Sequence, residues 1–421
     1  MNSCSPSTMI APYLNLIQGN IEDFASGKAL LYLPRFSLEQ IRTLCENVTR
    51  VFTSEPSVLT IKPNVVVVGD LHGHLLDLIR ILKQFDMPPK TRYLFLGDII
   101  DRGEFSLETL ILIFLLKSTF PKSVNIIRGN HEFKQVYETG RFMQDIIDVY
   151  SDVKIATLFE AAFVQMPIAA IINDKIFCVH GGIGPDVTDL EQIRNISKPI
   201  KEFDGSIVDT LLWSDPTEKI KTYEPSDRGT GYIFGSQIFE SFMTKNGFDT
   251  LIRAHQQIDH GCEYNFNNKL ITVFSASNYC GCYCNKGAIL TITDTLNLQP
   301  TIFEPLPYIE RCSAIFSSNI RPSISQPISH KPIKSVNVRE SQPNSSFMTP
   351  LSPLSISQTL SSINAGQSDL PPVQPPRKAS SRKPIPGQRR GSMILSSCSS
   401  LSSIEPLLVK PSGHKKSQIR W

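Results

Sequence analysis

No wholly apolar run in the 421-residue chain is longer than Leu110–Leu116, whereas a helix needs roughly 20 such residues to cross a bilayer. A membrane-spanning segment is therefore not expected. The first residues, Met1 to Tyr13, lack the basic region and apolar stretch of a secretory leader. The nine cysteines are odd in number and follow no regular framework, which excludes a disulfide-stapled secreted fold and points to a reducing compartment, cytoplasmic or nuclear. No second cysteine pair stands at zinc-like spacing from Cys280-Gly281-Cys282-Tyr283-Cys284, so these read as ordinary loop thiols. There is no internal repeat.

Aromatic residues become scarce beyond residue 310. Residues 311–421 hold 27 serines and 14 prolines, with too little apolar material to offset the entropy of ordering the chain. A disordered tail is expected over 311–421 and one folded domain over 1–310, so that removing the chain after about Pro307 should leave the domain folded. The tail carries 15 Lys and Arg against 3 Asp and Glu, or +12, and the whole-chain charge of +3 then leaves −9 for residues 1–310. An acidic domain argues against nucleic-acid binding. The basic tail suits acidic partners. Its run from Pro372 to Arg377 matches a ligand for an aromatic-grooved module, a pattern that reads more often as solvated linker, and Ser380 and Ser392, each behind basic residues, read equally as basophilic kinase sites or as a solvated basic run.

What the chain does hold is concentrated between Val65 and Glu132, in three clusters: Gly69-Asp70-Leu71-His72-Gly73-His74, Gly97-Asp98-Ile99-Ile100-Asp101-Arg102-Gly103 and Arg128-Gly129-Asn130-His131-Glu132. Each follows a run of apolar, mostly β-prone residues (Val65 to Val68, Tyr93 to Leu96, Val124 to Ile127), the pattern of a strand buried on both faces. Helical periodicity from Leu75 to Phe85 and from Ser106 to Lys117 completes a strand–helix–strand–helix–strand reading with a parallel sheet. The clusters then sit at carboxyl ends of strands, where such sheets bind ligands. Asp70, His72, Asp98 and Asn130 offer oxygen and imidazole donors without a thiolate, a set suited to first-row divalent ions. One carboxylate between two ions can bridge them, and such a pair is the clamp used for displacement at phosphorus.

The remaining chain reads more coarsely. Ala29 to Leu33 and Leu38 to Phe52 have helical character and should cover one face of the sheet, the second starting after Ser37. Phe142 to Phe163 has helical spacing, and Ile171 to Val179 reads as a hairpin around Asn173-Asp174. That hairpin ends at His180, and Ile252 to His255 repeats the strand-end histidine pattern. Leu211 to Tyr232 is loop-rich, and within it Arg228 looks placed rather than merely solvated. His74 reads as a locally hydrogen-bonded histidine and not as a ligand.

Taken in order, Gly-Asp-x-His-Gly at 69–73, Gly-Asp-x-x-Asp-Arg-Gly at 97–103, Arg-Gly-Asn-His-Glu at 128–132, His-Gly-Gly at 180–182, Leu-Leu-Trp-Ser-Asp-Pro at 211–216, Arg-Gly at 228–229, Arg-Ala-His at 253–255 and Asn-Tyr-Cys at 278–280 resemble one family. This is the metal-dependent serine/threonine phosphoprotein phosphatases, and the likeness covers roughly residues 30–305. It implies an α/β metallophosphatase fold, with two facing mixed β-sheets flanked by helices. It also implies hydrolysis of phosphoserine and phosphothreonine by a hydroxide bridging two divalent ions, with Mn, Fe or Zn as candidates. By the same likeness Asp70, His72 and Asp98 hold one ion, and Asp98, Asn130, His180 and His255 the other. Arg102, Arg228 and Asn130 contact the substrate phosphate, His131 protonates the leaving alkoxide, Asp101 orients His131, and Tyr279 lines the cleft. The implied partners are phosphoprotein substrates, with regulatory subunits or tail-binding proteins.

The chain departs from the family pattern at His74 (usually Gln), Ile99 (usually Tyr), Ser277 (usually Pro), Gly140-Arg141-Phe142-Met143 (usually aromatic-rich) and Cys282 and Cys284 (carboxylates in the type-one enzymes). None of these is an implied ligand, so they bear on substrate recognition and not on the reaction. Two other readings stand beside this one. A metallophosphoesterase of other specificity, such as a dinucleotide polyphosphate hydrolase, shares the first three clusters but not Trp213-Ser214-Asp215-Pro216. An inactive scaffold should have lost a ligand, and none is lost.

Overall fold

The computed structural model describes residues 6–318; the tail features from Pro372 to Ser392 lie outside the described residues. Helices α1 (Pro6–Gln18) and α2 (Ile21–Ala25) lead into strand β1 (Leu31–Pro34). The helical reading of Ala29 to Leu33 is thereby corrected. Its apolar residues are too few for a stable helix and end at Pro34, and the segment pairs instead with a remote strand near residue 315. Helix α3 (Leu38–Ser54) starts as expected, with a capping box: Ser37 Oγ accepts the Gln40 N–H while the Gln40 side chain accepts that of Ser37.

Strands β2 (Val58–Ile61) and β3 (Val65–Val68), helix α4 (Leu75–Gln84), strand β4 (Arg92–Phe95), helix α5 (Ser106–Thr119) and strand β5 (Val124–Ile126) follow. The short α6 (Lys134–Tyr137) comes next. Phe142 to Phe163 is not one helix, because α7 (Arg141–Tyr150) stops at Ser151, whose φ of 55° is left-handed, and α8 (Ala156–Phe163) restarts after a turn capped by Asp152. Strands β6 (Ala169–Ile172) and β7 (Ile176–Val179) form the expected hairpin, with Asn173 and Asp174 at φ 51° and 55°. Beyond it lie α9 (Leu190–Arg194), α10 (Ile207–Trp213), a small sheet of β8 (Asp215–Pro216), β9 (Tyr223–Pro225) and β10 (Tyr232–Phe234), and α11 (Ser236–Asn246). The last strands are β11 (Thr250–Arg253), β12 (Cys262–Asn265), β13 (Leu270–Val273), β14 (Gly287–Ile292), β15 (Leu298–Phe303) and β16 (Ala314–Ser317).

Two mixed sheets face each other, one in the order β15-β14-β3-β4-β5 and the other β12-β13-β11-β7-β6-β2. Side chains alternate across a strand, and this divides the valines of β3 between two cores. Val65 and Val67 lie between the sheets with Leu94, Ile172 and Ile252. Val66 and Val68 face a helical layer that includes Phe52, Leu78, Phe114 and Phe159. Phe177, Val179, Leu212 and Phe242 build a third core on the far side of the second sheet. The layers thus run helix, sheet, sheet, helix, as expected for this fold class. Helix α3 packs on α5 and α8 as a second tier and not directly on the sheet. Among the described residues no helix is long and apolar enough to cross a membrane.

The folded body extends past the expected boundary at residue 310. Strand β16 pairs in parallel with β1, from Leu31↔Ala314 to Pro34↔Ser317, and Phe316 packs against the helical core.

Candidate active site

Five strand ends deliver the site. Asp70 and His72 follow β3, Asp98 follows β4, and Asn130 and His131 follow β5, all in one sheet; His180 follows β7 and His255 follows β11 in the other. Such short connections must turn hard. His72 (φ 42°), Asp98 (47°), Asp101 (68°), Arg102 (70°) and His255 (71°) all occupy the left-handed region, at a cost of roughly 1–3 kcal/mol for each non-glycine residue. A buried carboxylate helps hold that geometry: Glu132 accepts the N–H groups of Asp98 (3.0 Å), Ile99 (2.8 Å) and Gly129 (2.9 Å). Gly129 must lack a side chain, since a Cβ there would lie 2.2 Å from Asp98 Oδ1.

The donors converge on Asp98. Its Oδ2 lies 3.5 Å from His72 Nε2 and 3.4 Å from His180 Nε2, while Oδ1 accepts the His131 N–H at 2.9 Å. His72 Nδ1 donates to the Ile100 carbonyl (2.8 Å) and His180 Nδ1 to that of Leu96 (2.9 Å), bonds that turn both Nε2 atoms inward as metal ligands require. His180 Nε2 is also 2.9 Å from Asn130 Oδ1 and 3.1 Å from His255 Nδ1. Two trios of buried donors result, His72–Asp98–His131 and Asp98–His180–His255, each within 4.8 Å and sharing Asp98. The first trio contains His131 where the sequence pointed to Asp70; Asp70 lies beside it, its Oδ2 3.7 Å from His72 Nε2.

The electrostatics fit a cation. Burial, then Asp98, push the Asp70 carboxyl up to about 7. Burial would raise Asp98 too, but the imidazoles of His180, His131 and His72 outweigh it and hold Asp98 well below the usual carboxylate range. Burial lowers His72 and His255 far below the ordinary histidine value, into the neutral ligand form. At His180 the field of Asp98 overrides burial and raises the pKa to about 9. Positive charge is therefore favoured at the centre, and the buried Asp70 Oδ2, 3.7 Å from His72 Nε2, has no hydrogen-bond partner.

Above these donors lies a cavity of about 120 Å³ lined by His72, Asp98, Arg102, Asn130, His131, Trp213, Arg228, His255 and Tyr279. His131 Nδ1 lies 2.8 Å from Asp101 Oδ2, and Asp101 Oδ1 accepts the Phe142 N–H at 2.9 Å. Burial works to lower the His131 pKa, but Asp98 and Asp101 prevail and raise it. Arg228 Nε donates to Asp215 Oδ2 (2.7 Å), whose other oxygen accepts from the buried Arg253 (2.9 Å). All expected site residues are brought together. Sequence reasoning missed the structural partners Glu132, Asp215 and Arg253, although each stands inside a quoted motif. His74 stays outside this cavity, its Nδ1 bonded to the His72 carbonyl (3.0 Å) and its ring stacked on Tyr279. Cys282 and Cys284 are exposed and unbridged.

Residues 63–259 match the family model of the calcineurin-like phosphoesterases. A protein serine/threonine phosphatase from Saccharomyces cerevisiae, described as similar to human phosphatase PP5, superposes with a TM-score of 0.62 at 27% identity, over 72% of this chain and 99% of that one. A cold-active protein-tyrosine phosphatase from a psychrophilic Shewanella species matches at a TM-score of 0.43 and 16% identity, over 61% and 84% of the two chains. With the fold and the shared-carboxylate donor cluster in place, residues 63–259 form a calcineurin-like phosphoesterase domain, and the described body resembles the yeast serine/threonine phosphatase.

Proposed function

We propose that the site hydrolyses phosphoserine and phosphothreonine in proteins, which makes phosphoproteins its substrates and partners. The observation that carries this reading is His131, backed by Asp101, lining the same cavity as Arg102 and Arg228. Two divalent ions, one held by Asp70, His72 and Asp98 and the other by Asp98, Asn130, His180 and His255, would supply Lewis acidity and an activated water. Arg102 and Arg228 bind the phosphate oxygens with planar guanidinium donors. Asp215 holds Arg228 by Nε and so leaves its terminal nitrogens for the substrate. As water adds to phosphorus and the P–O bond to the side chain breaks, the serine or threonine oxygen leaves as an alkoxide and needs a proton. Asp101 holds His131 by Nδ1, and Nε2 delivers that proton.

The manganese-loaded protein should cleave phosphoseryl and phosphothreonyl peptides faster than dinucleotide polyphosphates; the reverse preference overturns the proposed specificity. His131→Ala should lose roughly 100-fold on a phosphoseryl peptide but under about 10-fold on 4-nitrophenyl phosphate, whose acidic leaving group departs without a proton. Equal losses would remove His131 from the acid role. Asp98→Asn should weaken metal content, measured by elemental analysis, whereas His131→Ala should leave it near normal.

A further inference from the structure

Arg311 follows the expected end of the domain, yet its side chain is only 11% exposed. The guanidinium forks onto Glu108 of α5, Nη1 to Oε2 at 2.6 Å and Nη2 to Oε1 at 2.8 Å. Nη1 also donates to the Glu104 carbonyl at 3.1 Å and lies 3.5 Å from Asp145 Oδ2 of α7. The Arg311 N–H donates to Glu104 Oε2 at 3.1 Å, and Phe316 of β16 covers the guanidinium 4.6 Å from its ring centre. Arg141 completes the cluster, with Nε donating to Asp145 Oδ1 at 2.8 Å and Nη2 lying 3.1 Å from Glu104 Oε2. Among the described residues Glu108 has no other ion-pair partner than Arg311.

The elements that Arg311 joins are those that aim Asp101. On one side Glu104 and α5 continue directly from Asp101-Arg102-Gly103, and Ser106 Oγ accepts the Asp101 N–H at 2.6 Å. On the other side the first turn of α7 supplies the Phe142 N–H to Asp101 Oδ1. Asp145 ties the two, since its Oδ2 accepts the Leu107 N–H at 3.2 Å while its Oδ1 takes Arg141. A displacement of either helix start would move the carboxylate that sets the His131 imidazole.

We propose that Arg311 is a positioning residue for proton delivery: by clamping the starts of α5 and α7 together, it keeps Asp101, and through it His131, aligned with the leaving oxygen. This rests on His131 being the acid. The test uses the full-length, manganese-loaded chain. Arg311→Ala should lower kcat on a phosphoseryl peptide roughly tenfold, and on 4-nitrophenyl phosphate less than about threefold, with little change in peptide KM. Free guanidinium ion should restore part of the peptide rate in Arg311→Ala and none in the wild type. Arg311→Lys keeps the charge but not the fork; it should fall between the two and carries the comparison if Arg311→Ala does not fold. Equal losses on both substrates, or losses that only track the folded fraction, overturn the proposal. His131→Ala assayed in parallel separates the two failures. If it discriminates between the substrates and the Arg311 variants do not, only the positioning role falls; if it does not discriminate, the acid assignment falls and the positioning role with it.

Discussion

Asp215 touches no expected metal ligand, yet it governs how one of the two arginines lining the cavity is presented. Its two oxygens divide between Arg228 and the fully buried Arg253, so the carboxylate is both a tether and the counter-charge of a buried cation. Deleting the side chain would strand Arg253, a loss of about 3–5 kcal/mol. Asp215→Asn is the milder probe. It should raise KM for a phosphopeptide by roughly 3- to 10-fold with a smaller effect on kcat, because a tether to a substrate-binding group acts on binding in ground and transition states alike. A fall in kcat with KM unchanged would mean that Arg228 acts only in the transition state. Asp215 also marks where the sequence stops being legible. Asp70, His72, Asp98, His180 and His255 could be picked out because strand-end carboxylates and imidazoles have few other uses in such number. Apart from Gly129, the residues that Asp215 and Glu132 hold lie 13 to 38 positions away in sequence, which no local pattern announces.

Elements differed in legibility for a related reason. Strands β3 and β4 and helix α4 are declared by their own residues, the strands by a continuous apolar run and the helix by its period, whereas β5 is interrupted by the half-buried Asn125 and α5 is buried on every side from Ser106 to Lys117. Strands β1 and β16 exist only as a pair formed across more than 280 residues of chain. Neither carries enough apolar pattern to announce itself, and the Arg311 cluster beside β16 is equally nonlocal. Removal of the chain after Pro307 is therefore no longer expected to be neutral. It deletes Arg311, leaves Glu108 buried without its cation and takes away the partner of β1. Breaking such a pair costs about 3–5 kcal/mol. Chains ending at Pro307 and at Ser318 should thus differ clearly in thermal midpoint, with the longer one close to full length. If both melt together, β16 and Arg311 contribute nothing to the body.

At the scale of the whole molecule, the donor cluster is a seam between the two sheets. Asp70, Asp98 and Asn130 come from the ends of β3, β4 and β5, while His180 and His255 come from β7 and β11 of the facing sheet. Buried beside one another, Asp70 and Asp98 repel, and burial with that repulsion is what pushes Asp70 up to about 7. Cations in the seam would relieve the repulsion and tie one sheet to the other, so metal binding and folding should be linked. At a free manganese concentration 100 times its dissociation constant, one site contributes about 2.7 kcal/mol, which in a body of this size is a rise of roughly 5 °C in midpoint. Chelation should lower the midpoint, manganese should restore it, and Asp98→Asn should respond little. Hydrogen exchange then decides whether the sheets are joined. Added metal should slow exchange in β3 and β4 and, equally, in β7 and β11. Protection confined to β3, β4 and β5 would mean that the ions sit on one sheet alone and that the facing histidines do not hold them.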